Sequence, residues 1–530
     1  MTLSVVTPQE VRRDLIARRE IALLDLREED PFAKAHPLFA SQLPLSRLEV
    51  EILDRVPRQD TKIVLYDDGE GLVAPAGERL VTLGYTNVHA LEGGLGGWRA
   101  TGYELFQDVN SYSKAFGELV EARRHTPSLP AQEVQARIDA KADQVILDAR
   151  RFEEYAVMSI PGGISTPGAE LVLRARELAP DPATTIIVNC AGRTRSLIGA
   201  QSLVNAGLPN PVFALRNGTI GWTLAQQTLE HGQSRKFPEV REQTLEEARA
   251  RARDVAYRAG VRRLDTQGLA DLAKDQDRTL YRFDVRTPEE YAAGHLPGFR
   301  SAPGGQLVQE TDVFAPVRGG RIVLADDLGP RADMTASWLA QLGWEVFVLE
   351  PFAPSGGFDT ALETGAWTAR LPALPGVETL SPRDLAQAIA DEAVVVVDLA
   401  PSPRHRKAHV PGAWFAIRAQ LPEALKQLPK DKAIVLTSPD GALAALAAAE
   451  LEEVTDRPIR VLAGGTEGWI AAGRAVEAGL TRAANAPTDV YKRPYEGTDN
   501  AAEAMQAYLD WEFGLVDQLA RDGTHGFYVI

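Results

Sequence analysis

Four short apolar strands recur along the chain, and each of them ends in an aspartate. They lie in "IALLDLREED", "QVILDARRFEEY", "YRFDVRTPEEY" and "VVVVDLAPSPR", which place the aspartates at Asp25, Asp148, Asp284 and Asp398. Consecutive copies are roughly 110 to 140 residues apart, the size of a small domain. A turn and a short amphipathic helix precede each strand, as in "TPQEVRRDLI" and "SPRDLAQAI". Strands that alternate with helical segments predict a parallel sheet with helices on both faces.

A second apolar strand follows in every copy, and an Ala- and Leu-rich helix comes after it. These strands lie in "KIVLYDD", "TIIVNCA", "RIVLADD" and "AIVLTSP". Three copies close on a Gly-Trp signature that contains Trp98, Trp222 or Trp469, whereas the third copy has only "LEPFAPSGGF" there. We expect the tryptophans to pack within their own domains. The repeats predict four tandem α/β domains, at residues 1–107, 108–235, 261–370 and 371–478.

Residues 236–260 connect the second and third domains through a charged, Ala- and Arg-rich segment. We expect a solvated helix with Glu–Arg pairs rather than a basic binding helix. Thr244 and Glu247 have the spacing of a capping box that would begin this helix, and Gly260 can end it.

Residues 479–530 form a helical tail outside the four-fold repeat. Thr498 or Asp499 can cap a helix there, and Gly523 can end it. An apolar stripe at helical spacing runs through Ala502, Met505, Leu509, Phe513, Val516 and Leu519. Such a stripe must be buried, and packing on the fourth domain is the simpler expectation. The alternative is that the tail returns to the second domain or to a second subunit, where Lys492, Arg493 and Tyr495 would border a cleft.

The composition is that of a globular protein with several domains. The 530 residues are 45% hydrophobic and 25% charged, and the formal net charge is −16. A negative charge of this size argues against nucleic acid or an anionic membrane as the main partner. The first residues, "MTLSVVTPQEVRRDLI", lack the pattern of a secretory signal, and no apolar run approaches the roughly 20 residues of a membrane helix. A single cysteine excludes intrachain disulfides and favours the cytoplasm.

That cysteine, Cys190, stands between an apolar strand and a helix in "TIIVNCAGRTRSLIGAQSL". We term residues 190–196 the cysteine loop. Its backbone N–H groups can form an anion-binding nest at the helix start, where Gly192 lets the chain curl. A thiol reacts as its thiolate, and the charges of Arg193 and Arg195 are expected to lower the thiol pKa from about 8.5. The alternative is an inert core cysteine, although a turn with two arginines and a glycine is an unusual place for one.

The order of the motifs resembles that of the rhodanese, or sulfurtransferase, family. The family pattern is D-x-R, E-Y, H-[IL]-P-G-A, a strand followed by C-x4-R-S, and G-G-x-x-G-W. The second copy carries the active-site loop as "CAGRTRS" and the third has the fullest "DVRTPEEYAAGHLPG", whereas Ser159 replaces the usual histidine of the second copy. The resemblance implies four tandem rhodanese-like domains. It makes Cys190 the catalytic residue and assigns the persulfide- and anion-binding loop to Ala191, Gly192, Arg193, Thr194, Arg195 and Ser196.

The length of the cysteine loop separates sulfur transfer from phosphatase chemistry. Cysteine phosphatases use C-x5-R, a ring of amides wide enough for a tetrahedral phosphate. Cys190 and Arg195 give C-x4-R, one residue shorter. A tighter loop resembles the sulfur-transferring form of the fold, in which a single sulfur atom is wrapped.

At the position of Cys190, the other three copies have Asp67, Asp326 and Ser438. An aspartate at this position would put its own carboxylate where the cysteine loop can bind an external anion. The serine could act as a nucleophile, but its segment "TSPDGALAA" contains neither a base to activate it nor an arginine. We therefore expect three inactive, structural copies. The resemblance implies that one of them packs against the active domain and walls its cleft. Binding of a cation or a partner by an acidic loop is the alternative.

Three further residues are candidates for substrate binding. Arg216 and Asn217 come from the turn that opens the second Gly-Trp signature and could reach the mouth of the cleft. Arg150 follows Asp148, and local pairing with Asp148 or Glu154 is favoured over contact with substrate.

The resemblance implies a thiosulfate sulfurtransferase that needs no metal or organic cofactor. Cys190 would take a sulfane sulfur from thiosulfate or a similar anionic donor and pass it, as a persulfide, to cyanide or a cellular thiol. Mercaptopyruvate is the alternative donor. A different hypothesis is a persulfide carrier or scaffold that docks a partner enzyme through its inactive domains. The expected partners are small molecules, without nucleic acid or membrane, and a homodimer is left open.

Overall fold

The computed structural model describes residues 3–350 and 361–530. Over these residues it contains four five-stranded sheets, in which the paired strands are parallel. Each sheet has the same order, with the five strands of a copy arranged first, fifth, fourth, second, third. The predicted fold class, four tandem α/β domains with a helical tail, is confirmed. The "LEPFAPSGGF" segment lies largely outside the described residues.

The strands form four sets of five along the chain. They are β1 (Ser4–Val6), β2 (Ala22–Asp25), β3 (Ser41–Gln42), β4 (Ile63–Tyr66), β5 (Val88–Leu91), β6 (Ser128–Leu129), β7 (Gln144–Asp148), β8 (Ile164–Ser165), β9 (Thr185–Asn189), β10 (Val212–Leu215), β11 (Arg262–Leu264), β12 (Leu280–Asp284), β13 (Arg300–Ser301), β14 (Arg321–Ala325), β15 (Glu345–Leu349), β16 (Thr379–Leu380), β17 (Val394–Asp398), β18 (Trp414–Phe415), β19 (Ala433–Thr437) and β20 (Ile459–Leu462).

Helices cover both faces of the sheets and make the connections between domains. They are α1 (Pro8–Ile16), α2 (Glu29–Lys34), α3 (Leu48–Arg55), α4 (Val73–Thr82), α5 (Gly94–Ala100), α6 (Ser111–Arg124), α7 (Ala131–Asp139), α8 (Phe152–Val157), α9 (Leu171–Leu178), α10 (Thr194–Asn205), α11 (Gly218–Leu224), α12 (Glu242–Arg258), α13 (Thr266–Lys274), α14 (Pro288–Ala293), α15 (Gly304–Gln309), α16 (Thr311–Phe314), α17 (Pro330–Gln341), α18 (Pro382–Ala390), α19 (Ser402–Lys407), α20 (Leu421–Ala424), α21 (Ala442–Glu452), α22 (Gly465–Ala471), α23 (Ala502–Phe513) and α24 (Leu515–Asp522). Short 3-10 helices span Leu45–Arg47, Gly168–Glu170 and Arg418–Gln420. Among the described residues, no helix combines the length and apolar character that crossing a bilayer requires.

The recurring aspartate ends a strand that is buried between helix layers. All five residues of β17 are buried, and β-branched side chains suit a strand covered on both faces. In three domains the aspartate binds the arginine two residues later, and in the fourth Asp398 lies 2.8 Å from His405 Nδ1. The aspartate therefore fixes the turn at the end of its strand and belongs to the scaffold.

The three signature tryptophans are buried, and each donates its indole N–H to a carbonyl six residues later. In the second domain, Trp222 donates to Thr228 O at 2.9 Å. A buried indole needs such an acceptor. The predicted packing role of the tryptophans is confirmed.

The second and third domains pack directly on each other. A methyl group built on Gly305 would lie 3.1 Å from the backbone nitrogen of Gly168, so the two backbones approach closely. Trp338 donates its indole N–H to Ser202 Oγ at 2.8 Å across the same interface. The third domain, which has Asp326 at the position of Cys190, is thus in direct contact with the cysteine-bearing domain.

The first and fourth domains form a corresponding contact. Arg418, the first residue of the fourth domain's 3-10 helix, makes hydrogen bonds of 2.8 and 2.9 Å to the carboxylate of Glu49 in the first domain. Both groups are buried, so the paired charges compensate each other's loss of hydration.

The connector between the second and third domains differs from the expected solvated helix. α12 begins at Glu242, so Thr244 lies inside the helix and the predicted capping box is wrong. Ala248, Ala252 and Val255 are buried, and the last two share one apolar cluster with side chains of the second domain and with Met334 of the third, so this connector is part of the core. Gly260 follows the helix with a φ of +74°, as predicted for its end.

The tail forms two helices rather than one, with Gly514 between them. α24 lies along α6 and the first domain, where Gln518 donates to Leu105 O at 2.9 Å. α23 lies on the second domain beside α11. The expectation that the tail helices pack on the fourth domain is wrong, and the alternative of a return to the second domain is correct.

Only one of the three tail residues expected at the cleft reaches the cysteine loop. Tyr495 packs in one apolar cluster with Ala191. Arg493 instead pairs with Glu29 and Glu496, and Lys492 pairs with Asp499 at the surface.

Candidate active site

Cys190 directly follows β9, the middle strand of the second sheet, which is flanked by β10 and β7. It therefore lies at the carboxyl edge of the sheet, where open α/β folds place their ligands. Its side chain is buried, and the residue is 2% exposed.

The cysteine loop is held from one side by the start of α11. The N–H of Thr219 donates to Cys190 O at 2.9 Å, and the N–H of Ile220 donates to Ala191 O at 3.0 Å. This close contact requires Gly218, which has a φ of +55° and whose missing Cβ would collide with Cys190 O. Because these two carbonyl oxygens accept hydrogen bonds from α11, the backbone N–H groups of the loop remain available to bind an anion.

The third domain shows what such a loop binds. Asp326 occupies the position of Cys190, and its carboxylate accepts the backbone N–H groups of Leu328, Arg331 and Ala332 at 2.9 to 3.3 Å. The Arg331 side chain also donates to this carboxylate at 3.0 Å. The nest of the third domain is filled by a carboxylate of the chain itself.

The first and fourth domains repeat this arrangement in part. Asp67 accepts from the N–H groups of Gly69 at 3.1 Å and Leu72 at 2.6 Å. Ser438 Oγ accepts from the N–H of Ala444 at 3.2 Å. These donors stand two, five and six residues after the position of Cys190, which corresponds to Gly192, Arg195 and Ser196 in the cysteine loop.

The side chain of Arg195 stabilises the loop through a two-bond ion pair. Its Nη1 and Nη2 atoms lie 2.8 and 2.9 Å from the carboxylate oxygens of Glu154, at the start of α8. Arg331 and Glu290 form the equivalent pair in the third domain, at 2.7 Å. Arg195 therefore closes the loop through Glu154.

Arg193 does not face the thiol. Its guanidinium is buried, donates to Glu118 at 2.7 and 2.8 Å, and also pairs with Glu121. A further bond of 3.1 Å runs to Asn217 Oδ1. The expectation that Arg193 charges the thiol's surroundings is corrected, because its charge is balanced by two carboxylates of α6.

The pKa of Cys190 is shifted in the direction opposite to the expected one. Burial raises the pKa of the thiol above its ordinary value, and the nearby Glu512 carboxyl adds to this. Arg195 and hydrogen bonds from the hydroxyl and N–H of Ser196 act against the rise without cancelling it. The expected net lowering of the pKa by two arginines is wrong, because burial raises the thiol pKa by more than Arg195 lowers it.

Two of the candidate substrate residues are used elsewhere. Arg150 is 1% exposed and binds both carboxylate oxygens of Asp148 at 2.7 and 2.9 Å, so the favoured local pairing is confirmed. Arg216 lies at the surface, where its Nε is 3.2 Å from Ser128 Oγ. Asn217 borders the loop through its bond with Arg193, in the left-handed conformation with a φ of +61°.

Several residues at the loop lie far from it in the sequence. Gly192 is in contact with Tyr508 and Glu512 of the tail, while Glu118 reaches the loop from α6. None of them belongs to a recurring motif of the four copies. In the sequence, only the helical spacing of apolar residues in the tail indicates that it packs against another part of the protein.

A small cavity lies beside the first turn of α10, between the second and third domains. Its volume is about 50 Å³, room for one or two water molecules. Thr194 Oγ1, Gln309 Oε1 and Thr335 Oγ1 line it and have no hydrogen-bond partner among the residues that the structure describes. We expect ordered water at this position.

Acidic loops were the alternative place for a cation. In the described ranges 3–350 and 361–530, no group of three or more His, Cys, Asp or Glu side chains has an arrangement that could hold a metal ion.

Gly218 provides a test of the loop contact. Gly218→Ala is expected to lower the free energy of unfolding by about 2–4 kcal/mol, because it combines a left-handed backbone with a collision in a packed site. It should also reduce thiol reactivity, since the displaced atom is Cys190 O. Chemical denaturation and the rate of Cys190 alkylation measure the two effects.

The fourth domain supplies the matched control, because Gly465 has a φ of +61° and the same collision with Ser438 O. Gly465→Ala should cost similar stability and leave Cys190 reactivity unchanged. Equal loss of reactivity in both variants would show that the contact with α11 does not shape the cysteine loop.

Comparisons with known proteins agree with the repeat. A family model of the rhodanese-like domain matches residues 7–101, 130–225, 266–352 and 381–472. The crystal structure of a thiosulfate sulfurtransferase from Pseudomonas aeruginosa is 61% identical over 100% of both chains, with a TM-score of 0.97. A Bacillus halodurans protein is 25% identical over 20% of this chain and 79% of its own, with a TM-score of 0.18. A rhodanese-related protein from Thermoplasma volcanium is 23% identical over 19% and 97%, with a TM-score of 0.18. The curated proteins compared include no match.

Proposed function

This chain belongs to the family of rhodanese-like domains, and we propose that it is a sulfurtransferase in which only the second domain carries the chemistry. One observation carries the proposal. The loop of the third domain binds the carboxylate of Asp326 through its backbone N–H groups, and the equivalent loop of the second domain has the thiol of Cys190 at the same position. A nest that binds an anion in one copy has the geometry to bind a thiolate or a persulfide anion in another.

The first half-reaction is a displacement at sulfur. The Cys190 thiolate attacks the outer sulfur of a donor such as thiosulfate, and the Sγ–S bond forms as the donor's S–S bond breaks. The electron pair of the broken bond leaves with sulfite. The product is a Cys190 persulfide anion, which the N–H groups of Gly192, Arg195 and Ser196 would stabilise.

The second half-reaction restores the thiolate. An acceptor with affinity for sulfur, such as cyanide or a cellular thiol, attacks the terminal persulfide sulfur. The bond to Sγ breaks, and its electron pair returns to Cys190. No net oxidation takes place over the cycle, so the chemistry requires no redox cofactor.

Thiosulfate is the donor that we propose first, because the relative with 61% identity over the whole chain is a thiosulfate sulfurtransferase. Mercaptopyruvate is the alternative donor. We place the reaction in the cytoplasm, since a catalytic thiol has to stay reduced.

Steady-state kinetics with thiosulfate and cyanide test the proposal. We expect thiocyanate to form with a ping-pong pattern, in which lines of reciprocal rate against reciprocal thiosulfate concentration stay parallel as the cyanide concentration changes. Mercaptopyruvate in place of thiosulfate compares the two donors. Loading of one sulfur per chain without turnover would contradict an enzyme and indicate a persulfide carrier.

A further inference from the structure

The tail helix α23 lies directly on the cysteine loop at Gly192. A methyl group built on Gly192 would be 3.1 Å from Tyr508 Cε1 and 3.4 Å from Glu512 Oε2. Tyr508 and Leu509 share an apolar cluster with Ala191. A carboxyl group from a segment more than 300 residues away in sequence thus borders the loop that would hold the sulfur anion.

Only one of the two oxygen atoms of Glu512 is satisfied. Tyr508 donates its hydroxyl to Oε1 at 2.8 Å. Oε2 is buried and has no hydrogen-bond partner in the described part of the chain. Glu512 as a residue is 0% exposed, and an ionised carboxylate in such a place is unfavourable unless it is paired. Burial accordingly raises the pKa of Glu512 to about 8.

Among the residues that the structure describes, the charges that face Glu512 include no free cation. Lys114 of α6 has its Nζ 3.0 Å from Asp108, and it also lies over the rings of Tyr508 and Trp511. Arg193 is paired with Glu118 and Glu121.

An ionised Glu512 would therefore add a negative charge to a cluster in which both cations are already balanced. Glu118 raises the pKa of Glu512 through this repulsion, and the effects of Lys114, Tyr508 and Arg193 in the other direction are smaller than the effect of burial. Both burial and the neighbouring charges thus favour a proton on Glu512.

We propose that Glu512 is a positioning residue of the cysteine loop, which holds a proton on Oε2 and presents a neutral hydrogen-bond donor to the space that a sulfur anion occupies. The inference rests on the proposed function, because its role is to complement the anionic donor and the persulfide. The tail is then part of the active site.

The ionisation state of Glu512 has a consequence for the pH dependence of loading. At neutral pH the protonated side chain adds no negative charge beside the nest. As the pH rises through the raised pKa of Glu512, a carboxylate forms beside the loop, where it repels a dianionic donor and contributes to the raised pKa of Cys190. The rate of sulfur loading from thiosulfate should therefore increase less with pH than it would if only the ionisation of the thiol determined it.

The test compares the full-length wild type with Glu512→Gln, which keeps the shape and a neutral N–H donor at every pH. The second-order rate of sulfur loading from thiosulfate is measured by intact mass between pH 6 and pH 10. The ratio of variant to wild-type rate should be near one at pH 6.5 and rise roughly three- to tenfold by pH 9. Glu503→Gln removes a charge from an exposed position of the same helix and should give a ratio that does not change with pH.

Tyr508→Phe provides a second variant if Glu512→Gln does not fold. The lost hydroxyl stabilised the charged form of Glu512, so the pKa of the carboxyl should rise in this variant. The pH at which the loading rate begins to increase less steeply should then be higher than in the wild type. A pH profile identical to wild type in the folded variants overturns the inference while leaving the proposed function intact. Failure of the wild type itself to load Cys190 overturns the proposed function instead.

Discussion

Cys190→Ser is expected to abolish sulfur transfer, with thiocyanate formation falling to the rate of the uncatalysed reaction. The serine hydroxyl does not ionise near neutral pH and forms no persulfide, whereas the thiol reacts as its thiolate. The protein should stay folded, because the replaced atom is small and lies in a loop held by Gly218 and Arg195. A cyanide assay at saturating thiosulfate, with circular dichroism as the folding check, measures the effect.

The fourth domain supplies a matched control for this variant. Ser438→Cys places a thiol at the equivalent loop position, but Leu443 stands where the cysteine loop has Arg195. We expect the double variant with Cys190→Ser and Ser438→Cys to stay inactive. Turnover in the single Cys190→Ser variant would show that a second loop does the chemistry.

Arg331→Ala is expected to destabilise the protein by about 3–5 kcal/mol, the usual effect of removing one partner from a buried ion pair. The Arg331 side chain is 0% exposed and pairs with Asp326 at 2.9 Å and with Glu170 of the second domain at 3.0 Å. Its removal leaves the buried Asp326 carboxylate without its cation and takes from Glu170 one of its two arginines, the other being Arg174 at 3.0 Å. Denaturant unfolding at pH 7 measures the loss.

The effect of Arg331 should also depend on pH. Burial acts to raise the pKa of Asp326, but the Arg331 guanidinium and the backbone N–H groups together hold it below its ordinary value of 3.8. Stability from this pair is therefore fully present above pH 4 and is lost as the pH falls through the lowered pKa.

An exposed ion pair serves as the control for this prediction. Arg404 pairs with Glu467, and both side chains are about half exposed. Arg404→Ala should change the free energy of unfolding by less than about 1 kcal/mol. Equal effects of the Arg331 and Arg404 variants would contradict the structural role given to the filled nest of the third domain.

The fold was predictable because its signals are local and repeated. A strand that ends in aspartate and a second apolar strand occur in all four copies, and a Gly-Trp turn closes three of them, so the repeat is unambiguous. The same repetition identified the cysteine loop, since Asp67, Asp326 and Ser438 mark the equivalent positions. The structure adds the reason for those aspartates, which is that their carboxylates accept the N–H groups of the nest.

The contacts of the loop with distant segments were not predictable from the pattern. Glu118 and Glu512 lie in helices outside the common repeat, and nothing in their local spacing shows that they approach Cys190. Their presence changes the electrostatics, because Glu118 balances Arg193 and Glu512, when ionised, raises the thiol pKa. The burial of α12 was accessible in principle, since Ala248 and Ala252 stand one helical turn apart, but the high charge of the segment favoured a solvated helix.

Intact mass spectrometry of the full-length protein tests most directly the claim that one loop of the four carries the sulfur. After thiosulfate treatment the account predicts a single addition of about 32 Da, located in the peptide that contains Cys190 and removed by cyanide. No addition, or an addition that maps outside the Cys190 peptide, would contradict the account.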